Sequence, residues 1–168
     1  MMKLSNCLKL FQKSDGVIIL DKNVFDNLMK KIKVFEKKFS TLPIAGEQAK
    51  HKLIHVIDHE EKFTLIINRK GHRNRNNLTL IINSSTYKSS MVRFDVNGSD
   101  HENPPDFKVI PTPHLHIFTD EYDNGRIAVP LNEITDIILV NEIIDSLEFF
   151  MDYTNIKRDS LVLNDTLL

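Results

Sequence analysis

Six short runs in the middle of the chain leave little freedom in what it can become. "KLIHVID", "KFTLIIN", "LTLIIN", "MVRFDV", "HLHIF" and "RIAVPL" are each β-branched or alternating in polarity, and Gly, Asn, Asp or Pro set them apart. Such runs read as strands. Parallel neighbours need crossovers of a dozen residues or more, usually helical, and the gaps here leave no room for them. The segment from about 49 to 130 is therefore expected to form a curved antiparallel sheet of about six strands.

A helical pattern flanks the sheet on each side. Asp21 is placed to cap a helix over about 21–39, in which Phe25, Leu28, Met29, Ile32, Phe35 and Phe39 share one face. Lys30, Lys31, Lys33, Lys37 and Lys38 then fall mainly on a solvated face. A second helix is expected over about 141–154, capped by Asn141 and striped by Ile143, Ile144, Leu147, Phe150 and Met151. The last dozen residues are weakly patterned. Helix, sheet and helix make one α+β domain spanning 1–168, a size that one core serves well.

Composition narrows the class of function. The chain is 41% hydrophobic and 27% charged with a formal net charge of −1, so no global field draws it to nucleic acid. Cys7 is the single cysteine, which removes disulfide frameworks and cysteine-rich zinc sites. No apolar run reaches the ~18–20 residues of a membrane span. A cytoplasmic protein without membrane partners is expected.

The chemistry concentrates in "PTPHLHIF". Side chains alternate along a strand, so Leu115 and Ile117 go to one face while His114 and His116 share the other. "VRFDV" has the same form: Val92, Phe94 and Val96 go inward, leaving Arg93 and Asp95 together. If the two strands are neighbours, one wet surface carries an arginine, an aspartate and two imidazoles. The connection between them, rich in Pro and Gly, adds His101 and is too long for a tight hairpin.

Three readings fit this group. In the first, His114 and His116 are general acid and base in RNA cleavage, Arg93 stabilises phosphoryl charge, and Asp95 and His101 support them. In the second, His101, His114, His116 and a carboxylate hold zinc, iron or nickel. In the third, the face is polar and does no chemistry.

A further cluster bears on the substrate. "NRKGHRNRNN" gathers Arg69, Lys70, Arg73 and Arg75 between two apolar strands, which suits phosphates and an RNA backbone or else a solvated loop tip. Arg126, beside the Asn124-Gly125 turn, joins this anion-binding set. His51, His55 and His59 recur every fourth residue, but "KLIHVID" is strand-like, so a mixed surface is expected there and not a helical metal site.

The segment "VRFDVNGSDHENPP…IPTPHLHIFTDEYDNGRIAVPL" resembles a family of small bacterial and phage proteins known only as a domain of unknown function. The shared features are the Arg-x-Asp strand, a histidine closely followed by Asn-Pro, the Pro-His-x-His strand and a closing A-x-P-L. The likeness spans roughly Arg69 to Ile156. The order Arg93, Phe94, Asp95, His101, Pro113, His114, His116 is also similar to that of TumE-type toxins of toxin–antitoxin pairs. That second resemblance implies a ribonuclease-like toxin with a small cognate antitoxin protein as partner, and together with the one-face grouping it makes a metal-independent, cofactor-free endoribonuclease acting on RNA the leading expectation. The same fold could serve a phage or mobile element as a non-catalytic inhibitor of a host-defence protein, and either role admits a homodimer.

Overall fold

Strand alternation in the middle of the chain becomes the central sheet in the structure, a computed structural model that describes residues 13–14, 17–18, 20–38, 41–71, 77–139 and 142–158. In chain order the elements are β1 (Lys13–Ser14), β2 (Val17–Ile18), α1 (Lys22–Lys30), β3 (Lys33–Phe35), β4 (Gln48–His55) and β5 (Lys62–Asn68). They continue with β6 (Leu78–Ser84), β7 (Ser89–Asn97), β8 (His101–Asn103), β9 (Lys108–Ile110), β10 (His114–Ile117), β11 (Ala128–Pro130) and α2 (Glu142–Tyr153). Seven strands form one antiparallel sheet in the order β11-β10-β7-β6-β5-β4-β3. The architecture is α+β, as the pattern implied, with one strand more than expected.

One face of this sheet is the core. Leu53, Phe63, Leu65, Ile67, Leu80, Ile82, Val92, Phe94, Leu115 and Ile117 are buried on it, in the period-two pattern of their strands. The stripe of α2 closes that face, where Phe149 meets Phe94 edge-on at 5.3 Å and Phe150 stacks on it at 6.4 Å. The opposite face carries no α-helix among the described residues, and the polar half of each strand lies there.

The first helix is shorter than its pattern predicts. Asp21 caps it as expected, its carboxylate accepting from the Asn23 N–H at 2.8 Å, but it ends at Lys30. Lys31 turns extended (ψ 127°), and the next residues pair as strand β3 with β4, Val34 facing Ile54 and Phe35 facing Leu53. Two β-branched residues, Ile32 and Val34, favour that change. Lys33, expected on a solvated face, is instead buried. Its ammonium donates to the carbonyls of Leu28 (2.8 Å), Lys31 (2.9 Å) and Thr154 (2.8 Å), with Met29 at 3.4 Å, so it closes the ends of both helices. Burial pulls this lysine down to about 7. The carbonyls act the other way, since three donors exist only on the charged form.

Of the other expectations, α2 agrees to within a residue at each end, while Phe39 and Asn141 fall outside the described residues. His51 and His55 lie on strand β4, not on a helix. Among the described residues, no helix is long and apolar enough to cross a membrane.

Candidate functional site

Strands β7 and β10 are neighbours, and their register decides the site. Asp95 stands opposite His114, and Arg93 stands opposite His116. All four side chains leave the sheet on the uncovered face, because Phe94, Leu115 and Ile117 take the core face. Thr79 joins them from β6, whose register places it opposite Asp95.

His101 arrives from outside the sheet. The connection after β7 folds into the β8–β9 hairpin, pairing His101 with Ile110 and Asn103 with Lys108. Asn103 docks that hairpin on the edge strand as a backbone would. Its side-chain oxygen accepts from the Ala128 N–H at 2.7 Å, and its amide donates to the Ala128 carbonyl at 2.9 Å. The His101 ring then lies 4.7 Å from that of His116 and 6.0 Å from that of His114, centre to centre.

The Asp95 carboxylate is the hub. Oδ1 accepts from the Thr79 hydroxyl at 2.8 Å and Oδ2 from Arg93 Nε at 2.8 Å. Nε2 of His114 and Nε2 of His116 converge on the same Oδ2, at 3.6 and 3.4 Å. Burial pushes this carboxyl upward. Interaction with His114 and His116, the Arg93 guanidinium and the Thr79 hydroxyl outweigh that and hold it well below the usual carboxylate range.

Backbone carbonyls fix both tautomers. His114 Nδ1 lies 3.1 Å from the Pro111 oxygen, and His116 Nδ1 lies 2.8 Å from the Gly125 oxygen. A carbonyl only accepts, so each Nδ1 carries a proton. In a neutral ring Nε2 would then turn a lone pair toward an ionised carboxylate, which is repulsive. Something positive belongs between them, either a proton on an imidazole or a cation. His101 has the opposite arrangement, with Nε2 donating to the Arg126 carbonyl at 2.9 Å, so Nδ1 is its basic nitrogen.

Asp95, His114 and His116 do meet the spacing of a metal site, their ligand atoms lying within 4.8 Å of one another. The Nδ1–H···O=C bonds are also the support that metal-bound imidazoles usually have. Against a dication stands Arg93, whose charged Nε already occupies Oδ2. Among the described residues this guanidinium has no other hydrogen-bond partner, and its side chain is 36% exposed.

The group opens onto a cleft of about 440 Å³ whose lining includes Thr79, Ile81, Arg93, Asp95, His101 and His114, and with them Asn68, Asn77, Asn97 and Asp100. The expected wet strand face is corrected in one respect. His114 and His116 are each only 1% exposed, and His116, with Nε2 fully covered, lies behind the cleft wall and not on it. Two adjacent strands and the overlying His101 shield both rings, so alternation gives the face but not the depth.

Of the residues expected to bind anions, the described ones do not form one group. Arg69 is half-buried and donates to the Pro43 carbonyl at 3.0 Å. Lys70 is exposed beside it, while Arg73 and Arg75 lie outside the described residues. Arg126 points to solvent and pairs with Asp123 at 3.2 Å, contributing only its carbonyl to the site. Sequence reasoning missed Thr79 and Asn103. Thr79 is the one polar side chain inside the apolar run "LTLII", and Asn103 follows His101 at the two-residue spacing that keeps both on one side of a strand.

A model of a family of unknown function, DUF6978, matches residues 20–156. The chain belongs to that family. The DUF6978 match runs from the residue before the α1 cap to just past α2, so it includes the whole sheet, the hairpin and every residue of the cleft. No curated protein and no solved structure matches the chain.

Proposed function

We propose that this chain is an endoribonuclease that cleaves RNA by imidazole acid–base catalysis, without a metal. One observation carries the reading: two Nδ1-tethered imidazoles share one ionised carboxylate, beside an arginine and a third imidazole of opposite tautomer, on an open cleft. His101 Nδ1 is the base that takes the proton from a ribose 2′-hydroxyl. The 2′-oxygen attacks phosphorus, the bond to the 5′-oxygen breaks, and His114, protonated against Asp95, gives its Nε2 proton to that leaving oxygen. The products are a 2′,3′-cyclic phosphate and a 5′-hydroxyl. Arg93 faces the charge that builds on the non-bridging oxygens. His116 is a positioning residue that keeps a second positive group on Asp95.

Similarity in motif order to TumE-type toxins supports the same reading and brings a small antitoxin protein as partner. The experiment is cleavage of labelled RNA in EDTA by the wild type and by His101→Ala and His114→Ala. Loss of cyclic-phosphate product by ~10²-fold or more in each variant is expected. Cleavage that survives both changes overturns the proposal. RNA left intact by the wild type does so as well, and favours a non-catalytic protein that binds a host-defence component.

The spacing of Asp95, His114 and His116 favours a second reading, a small His-ligated metal site. Elemental analysis of tag-free protein separates the two. Equimolar zinc, iron or nickel lost in His116→Ala establishes the metal reading.

A further inference from the structure

The uncovered sheet face continues well beyond the cleft, and the strand registers show what lies along it. His116 stands opposite Arg93, Arg93 opposite Ile81, Ile81 opposite Ile66, and Ile66 opposite Lys50. These five residues form one row perpendicular to the strands. A parallel row runs His114, Asp95, Thr79, Asn68 and Gln48. At ~4.8 Å per strand, four steps carry either row roughly 19 Å from the imidazoles.

Charge changes along this path. A second hollow of about 390 Å³, lined by Lys50, Thr64, Ile66, Asn83 and Lys88, lies next along the sheet, its Ile66 standing opposite Ile81 of the first. Beyond it Lys37, Lys38 and Lys52 gather around Lys50, with Glu36 the one acidic side chain in that group. Among the described residues none of these five lysines has a carboxylate partner. A chain of net charge −1 thus places Lys50 and Lys52, by their register with Ile66 and Thr64, on the same face as its candidate site, with Lys37 and Lys38 beside them. Between the two lie half-buried Ile66 and Ile81, flanked by threonine and asparagine side chains.

We propose that this face is a track for single-stranded RNA laid across the strands, with the scissile phosphate at His101 and His114 and a downstream or upstream phosphate at Lys50 and Lys88. The proposal rests on the ribonuclease reading for the position of the reacting phosphate. Ile66 and Ile81 offer an apolar floor to base faces, which a single strand exposes and a duplex hides. Amides and hydroxyls beside them suit sugar and base edges. The track length corresponds to about four nucleotides, the low end of single-strand sites on small β domains.

Fluorescence anisotropy of a labelled octanucleotide tests it, with wild type and Lys50→Ala/Lys88→Ala compared across a salt series. The double variant is expected to bind roughly tenfold more weakly, and its log–log salt slope to fall by about 0.7, the contribution of one lost phosphate contact on a single strand. A hairpin duplex of the same length is expected to bind more weakly than the single strand. Unchanged affinity and slope in the variant overturn the track, as do equal affinity for duplex and absence of RNA binding by the wild type. The two proposals fail separately. Cleavage dependent on His101 with no lysine effect removes the track alone, whereas lysine-dependent binding without cleavage removes the active site alone.

Discussion

Asp95→Asn changes one charge and almost no volume at the point where five groups meet, so it tests the geometry most directly. The amide oxygen can still accept from the Thr79 hydroxyl, but an NH₂ then replaces the oxygen that now receives Arg93 Nε at 2.8 Å. A donor faces a donor. Loss of one charge-assisted bond costs about 1.5–3 kcal/mol, and the lower end applies because Arg93 is one-third exposed. The imidazole contacts at 3.4 and 3.6 Å are long, each contributing ~0.5 kcal/mol. Relief of the desolvated carboxylate, whose side chain is 18% exposed, offsets about 1 kcal/mol. A net loss of about 1.5 kcal/mol at pH 7 follows, or ~3–6 °C in Tm for a chain of this size. Because the folded carboxyl is held below its unfolded value of ~3.9, its contribution is fully present above that value. It fades as pH falls toward the folded pKa. Urea unfolding at several pH values should show a gap between wild type and variant that holds to about pH 5 and shrinks below ~4. Equal stability at pH 7, or a gap that widens in acid, would refute the reasoning. If the ribonuclease reading holds, RNA cleavage by the variant should fall by ~10²-fold or more, since the carboxylate between the two imidazoles is gone.

Lys33→Met leaves the buried carbonyls of Leu28, Lys31 and Thr154 without their donor and should cost about 3 kcal/mol in urea unfolding; a loss below about 1 kcal/mol would mean that the ammonium contributes nothing net. Asn103→Ala removes both bonds between the hairpin and Ala128, so amide exchange should quicken in β8 and β9 while the sheet stays protected, with RNA cleavage falling as His101 loses its place. Gly125→Ala sets a Cβ 2.8 Å from the Phe118 ring at a residue with φ +79°, and should lower stability by roughly 1–3 kcal/mol in thermal unfolding. The same change moves the carbonyl that orients His116.

Why some of this could be foreseen and some could not follows from the range of the interactions. Alternation is local: Arg93-Phe94-Asp95 and His114-Leu115-His116 can be read a few residues at a time, and the sheet places each where its parity says. Antiparallel connectivity follows from gap lengths, which are local too. The end of α1 is different. Phe25, Leu28, Ile32 and Phe35 keep a helical spacing across a boundary that β4 imposes, because an open edge of the sheet stands within reach of Lys33–Phe35. Burial of Lys33 depends on carbonyls 5 and 121 residues away, and no window of sequence contains both.

The site has the same division within it. Parity supplied the face for four residues, yet the tautomers come from the Pro111, Gly125 and Arg126 carbonyls, and backbone geometry leaves no mark on residue type. Those three carbonyls make His101 different from its neighbours. The two rings tied through Nδ1 turn Nε2 toward the carboxylate, while the ring tied through Nε2 keeps its basic nitrogen at Nδ1. Three histidines of one composition thereby present two orientations, which the proposed ribonuclease reading assigns to a proton donor with its support and to a proton acceptor. Exchange of roles would require His101 to release the Arg126 oxygen, which the hairpin bond at Asn103 opposes. For this reason the proposed imidazole chemistry would depend on Asn103 and Ala128 as much as on the strand that carries the histidine pair.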